Sequence, residues 1–126
     1  MTEQYFIARN KGRKISKGEE EVIKVLQSNN IRFIREYYFN DLVVKGNKKL
    51  LFFDFYLPDY NVCIEFDGIQ HQTGSYMGVK NDKIKINDLY KNQYCYRKKI
   101  NLLRINHNQI NDIESVICKF FDDRRI

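Results

Sequence analysis

No apolar run in this 126-residue chain approaches the roughly 20 residues that a membrane-spanning helix needs. A membrane partner is therefore not expected. The amino terminus, MTEQYFIARN, lacks the basic, apolar and small-residue order of a secretory signal, so a cytoplasmic protein is expected. Cysteine is scarce: Cys63, Cys95 and Cys118 are odd in number and widely spaced, with no Cys-x-x-Cys and no paired Cys/His spacing. That pattern suits reduced core thiols better than a disulfide frame or a zinc site. No internal repeat, helix-turn-helix or zinc finger is visible, and no small-molecule cofactor is expected. Any recognition must come from the main body of the chain or its basic segments.

The residues that are present suit one compact core. With 43% hydrophobic and 14% aromatic content at this length, the chain supports one domain and is too short for two. The expected division is a basic arm over residues 1–15 and a single domain over 16–126. The net charge of +6 favours a polyanionic partner, and charge alone does not separate nucleic acid from an acidic membrane surface. Arg9, Lys11, Arg13, Lys14 and Lys17 form a block with no acid among them. Lys80, Lys83, Lys85, Lys91, Arg97, Lys98, Lys99 and Arg104 make a second basic region. A charge run alone is most often a solvated surface. Here the two blocks flank an acidic cluster, which points to phosphate binding.

Turn and periodicity signals give the order of elements. Ser16 and Glu19 have capping-box spacing ahead of Val22, Ile23, Val25 and Leu26, which predicts a helix from Lys17 to Ser28 ended by Asn29-Asn30. Ile31 to Phe39 and Leu50 to Leu57 are rich in β-branched and aromatic residues. The turn chemistry of Lys45-Gly46-Asn47-Lys48 between them predicts a hairpin. Pro58-Asp59-Tyr60-Asn61 is a second turn before a short buried strand, Val62 to Phe66. A loop is expected over Gln70 to Val79, a helix over Asn81 to Lys99, a strand over Ile100 to Ile105 and a closing helix over Ile110 to Phe121. The order α-β-β-β-α-β-α predicts an α/β fold with a four-stranded mixed sheet, the fourth strand parallel to the third after the helical crossover.

The most informative stretch is LFFDFYLPDYNVCIEFDGIQH, Leu51 to His71. Asp54 sits between Phe53 and Phe55, and Glu65 and Asp67 flank Phe66 at the end of the third strand. An ionised carboxylate among apolar strand residues is costly unless it is paired or binds a metal. Two-strand carboxylate clusters of this kind commonly hold a divalent cation.

The order Glu19, Asp54, Glu65-Phe66-Asp67, His71 resembles the PD-(D/E)xK nuclease superfamily. The resemblance is closer to the branch of very-short-patch repair endonucleases and of phage homing endonucleases named for a Glu-Asp-x-His-Asp active site. The segments SKGE, FDF, EFDGIQH, DLYK and LLRI carry it, over about Ser16 to Ile105. EFDGIQH is the specific part. The resemblance implies a restriction-endonuclease-like core and DNA cleavage, with a bacterial or phage-infected cell as the setting. In one respect the chain departs from the superfamily: Asp67 stands where the usual strand lysine would be. His71, Asp88 and Lys91 are the residues that can make up for it, with Lys91 one helical turn beyond Asp88.

Phosphodiester hydrolysis needs a cation to offset charge on the transition state, an oriented water and help for the leaving oxygen. Hard oxygen ligands from Asp54, Glu65 and the backbone carbonyl of Phe66 suit Mg²⁺, with Mn²⁺ as a substitute. Glu19 and Asp67 are candidates to hold metal-bound water or a second ion, with Glu20 and Glu21 as alternatives for the helix acid. His71 is the candidate to orient the water or contact the phosphate. Asp88 would complete the acidic set and Lys91 would supply positive charge. Arg9, Lys11, Arg13, Lys14, Lys17, Gln70, Lys80 and Lys83 are the candidate contacts to duplex or branched DNA. Each has a plainer alternative: Glu19 as a capping residue, Asp67-Gly68 as a turn, His71 as a buried or capping histidine, Asp88 and Lys91 as a helix-surface pair. The runs Tyr37-Tyr38-Phe39 and Phe52-Phe53 read as sheet packing. Two other functions fit the same residues: a junction resolvase, for which a homodimer is expected, and a non-catalytic DNA-binding protein on the same fold.

Overall fold

The computed structural model describes residues 15–68 and 78–125, and within 78–85 the backbone only. The first helix, α1 (Lys17–Ser28), begins with a reciprocal cap. The Glu19 N–H donates to the Ser16 hydroxyl and the Ser16 N–H donates to the Glu19 carboxylate, each at 3.2 Å. Asn30 ends the helix in the left-handed region at φ 57°, a conformation that asparagine tolerates better than most residues. Strands β1 (Ile34–Val43), β2 (Leu50–Leu57) and β3 (Val62–Asp67) follow, each antiparallel to the one before. Helix α2 (Gly78–Lys98) crosses over to β4 (Asn101–Asn106), which runs parallel to β3. A 3-10 turn, His107–Asp112, leads into α3 (Ile113–Arg124). The sheet order is β1-β2-β3-β4. The expected order, mixed sheet and parallel fourth strand are all present.

Several boundaries differ from expectation. β1 starts at Ile34 rather than Ile31, because the Ile31 N–H bonds back to the Leu26 carbonyl and prolongs the helix exit. It runs on to Val43 through a register shift between Tyr38 and Val43. The closing segment begins as a 3-10 turn, and its α-helix covers Ile113–Arg124 rather than Ile110 to Phe121. Cys63 and Cys95 are buried free thiols, but Cys118 is exposed on α3, so only two of the three cysteines are core residues. The aromatic runs do pack the sheet: Tyr37 stacks on Tyr56 at 4.5 Å, and Phe39 meets Phe53 edge to face. The expected loop over Gln70 to Val79 and the arm lie largely or wholly outside the described residues.

Two apolar clusters cover the sheet. The larger joins α1 and α3 to Phe33, Phe55, Leu57, Val62, Ile64, Leu103 and Ile105. The smaller joins Tyr94 and Cys95 of α2 to Leu42, Leu51, Phe53 and Cys63. Along a regular strand, residues two apart share a face. Yet Phe53 belongs to the smaller cluster and Phe55 to the larger, so the alternation breaks at Asp54. On β1, Glu36 lies between the paired residues Arg35 and Tyr37 with φ 52°, a strained conformation at the same level of the sheet. The side-chain alternation changes face where the acid sits.

Candidate active site

Strands β2 and β3 pair as Leu57↔Val62, Tyr56↔Cys63 and Phe55↔Ile64. Continued by one step, that register would set Asp54 opposite Glu65. Side chains take over there: the Asp54 N–H donates to Glu65 Oε2 at 3.1 Å, and the Phe66 N–H donates to Asp54 Oδ2 at 2.8 Å. The two carboxylates thus satisfy backbone donors where the ladder ends. Burial, then the neighbouring Glu65 charge, pushes the Asp54 carboxyl well above its ordinary range, with a smaller push from Glu19. Burial beside a like charge favours the neutral form of Asp54 unless a cation joins it.

Lys91 approaches from α2, with Nζ 3.0 Å from Glu65 Oε1 and 5.3 Å from the centre of the Phe53 ring. Glu19 is the helix acid that turns inward: it is 7% exposed, whereas Glu20 is exposed and Glu21 faces Lys17 and Lys24 at the surface. Glu19 both closes the cap and lies 3.6 Å from Arg35. Gly18 beside it allows a close approach. A β-carbon there would overlap the Phe66 ring, so the glycine lets α1 dock on the end of β3. Arg104 on β4 stands opposite Glu65 in the parallel register. It reaches Asp88 at 3.3 Å and lies 3.8 Å from both Glu65 and Asp67.

The structure therefore joins Glu19, Asp54, Glu65, Asp67, Asp88 and Lys91 in one charged network. Sequence reasoning missed two members, Arg35 and Arg104. Arg35 stands in the strand run IRFIREYYF as Asp54 stands in LLFFDFYL, so the same signal, a charge inside an apolar strand, marks it. Arg104 carries that signal in LLRI. Five carboxylates meet three cations, a formal excess of two negative charges in a protein of net charge +6.

The donor chemistry fits Mg²⁺, which needs only one or two carboxylates when waters and a substrate phosphate complete its shell. Among the described residues no group of three or more His, Cys, Asp and Glu side chains is placed to hold an ion. The fit rests on the pair Asp54 and Glu65. Gln70 and His71 lie outside the described residues, as do Arg9, Lys11, Arg13 and Lys14. Lys80 and Lys83 fall on α2 where only the backbone is described. Lys17 is exposed on the first turn of α1, 3.7 Å from Glu21. Among the described residues no helix is long and apolar enough to cross a membrane.

No family model and no curated protein matches the chain. Among solved structures, it is similar to the catalytic domain of the homing endonuclease I-Bth0305I. Identity is 27% over 86% of this chain and 96% of that one, with a TM-score of 0.46.

Proposed function

We propose that the protein is a Mg²⁺-dependent DNA endonuclease on a restriction-endonuclease-like core, of the homing or very-short-patch type. The observation that carries this reading is the meeting of Asp54 and Glu65 where the β2–β3 ladder ends, with Asp54 held above its ordinary range. A carboxylate kept at that cost among Phe53, Phe55 and Ile64 contributes little to folding. It is suited to binding a cation.

In this reading Asp54 and Glu65, with the Phe66 carbonyl, hold the ion. When bound, Mg²⁺ or Mn²⁺ offsets charge on the scissile phosphate and makes water a better nucleophile. The chain's own residues do the rest. The Phe66 and Asp54 N–H groups fix the two carboxylates, so little reorganisation accompanies the reaction. Lys91 holds a positive charge against Glu65 and takes the part that Asp67 cannot. Glu19, anchored by its cap and by Arg35, orients water from the α1 side. His71 is assigned to the attacking water or the phosphate. The basic arm, Gln70, Lys80 and Lys83 contact the DNA backbone.

The test is cleavage of supercoiled plasmid, linear duplex and a four-way junction with Mg²⁺, Mn²⁺ or EDTA, comparing the natural chain with Glu65→Ala. Metal-dependent cutting that Glu65→Ala abolishes is expected, and the preferred substrate separates endonuclease from resolvase. Tight DNA binding without cutting under any metal would contradict the reading.

A further inference from the structure

Arg104 is placed unlike a surface arginine. Its Nη1 lies 3.8 Å from Glu65 Oε1, 3.8 Å from Asp67 Oδ1 and 3.3 Å from Asp88 Oδ1. One nitrogen thus stands among three carboxylates drawn from β3 and α2. The rest of the guanidinium is pinned: Nε and Nη2 donate to Asn92 Oδ1 at 3.3 and 2.9 Å, and Nη2 donates to the Asp88 carbonyl at 3.4 Å. Strand register fixes its origin, since Arg104 pairs with Glu65. The charge is permanent, because a guanidinium does not lose its proton in proteins. Lys91 is a contrasting case, a single amine whose ion-pair contact is to Glu65 Oε1.

A divalent ion shared by Asp67 and Asp88 would need the space that Nη1 fills, and would face a cation that Asn92 holds in place. We propose that Arg104 is a positioning residue that sets the metal stoichiometry of the site. Its guanidinium takes the place of a second ion among Glu65, Asp67 and Asp88, leaving one exchangeable divalent ion at Asp54 and Glu65. The inference rests on the reading of Asp54 and Glu65 as cation ligands. It reassigns Asp67 and Asp88 as partners of Arg104 rather than ligands of metal.

The experiment is a Mn²⁺ titration of the metal-stripped full chain without DNA, followed by electron paramagnetic resonance. The natural chain binds one ion. Asp67→Asn and Asp88→Asn still bind one, within about tenfold in affinity, whereas Asp54→Asn loses at least about a hundredfold. Arg104→Gln, which keeps donors for Asn92 but removes the charge, gains a second ion, and Arg104→Lys returns the count to one. Two ions in the natural chain, a hundredfold loss in Asp67→Asn, or one ion in a folded Arg104→Gln would each overturn the inference. If Arg104→Gln does not fold by circular dichroism, the Asp67 and Asp88 variants decide. A natural chain that binds no Mn²⁺ contradicts the cation site itself, and is thereby distinguished from failure of the stoichiometry.

Discussion

The two sides of this sheet are built to different ends. Under α1 and α3 the strands present Phe55, Leu57, Val62, Ile64 and Ile105, each fully buried, in one apolar cluster. Toward α2 the same strands offer a smaller cluster, and beside it the charged network of Asp54, Glu65, Asp67, Lys91 and Arg104. The first side lowers the free energy of the fold, roughly 25 cal/mol per Å² of apolar surface removed from water. The second carries desolvated charges whose mutual attraction does little more than offset their burial. The two meet at neighbouring residues: Phe55 belongs to the apolar cluster and Asp54 to the charged network. Apolar packing and buried charge are divided along the strand rather than between domains.

The largest loss of stability is expected on the apolar side. Phe55→Ala removes a ring that packs edge to face on Phe33 at 5.9 Å, and should lower stability by about 3–5 kcal/mol. Denaturant unfolding would measure it; a loss below 1 kcal/mol would mean this cluster is not the stabilising one. The junction between the two sides is Gly18. Gly18→Ala forces a methyl group into the Phe66 ring, with an expected loss of about 1–3 kcal/mol. It should also weaken the proposed cleavage, since Glu19 is the next residue, and an unchanged melting temperature would show that α1 can shift at no cost. The smallest effect concerns the basic arm: neutralising Arg9, Lys11, Arg13 and Lys14 together should flatten the salt dependence of DNA binding by up to about 0.9 per lost phosphate contact. An unchanged slope would show that the arm takes no part in binding.

Much of this division is legible in the residues. The boundaries of α1 and β2 follow from Ser16-x-x-Glu19 and from the β-branched and aromatic run at Leu50 to Leu57, because both signals are local. Asp54 and Glu65 stand out because strands do not bury carboxylates without reason. Less local features were hidden. β1 continues through Asn40 and Asp41 because a register shift, not an alternating pattern, carries Leu42 into the core. Arg104 escaped notice as a site residue because its role depends on facing Glu65 across a parallel pair some forty residues away in sequence. Glu19 has both of the roles open to it, cap and buried acid, since the N3 position of α1 also faces Arg35.

On the proposed function, the Asp54 carboxylate is kept for chemistry at the expense of the fold. Its folded-state pKa is raised well above the ordinary carboxylate value by burial and then by Glu65. The stability this group contributes is therefore full below that value and is lost as pH rises through the folded pKa. Asp54→Asn does not titrate. The direct test is to measure melting temperature from pH 4 to 8 in EDTA, and plasmid cleavage in Mg²⁺, on Asp54→Asn and the natural chain. The expected variant has an advantage in melting temperature that grows from acid toward neutral pH, and its cleavage falls on the order of a thousandfold or more. A variant that is no more stable at neutral pH and still cuts DNA would contradict this reading of Asp54.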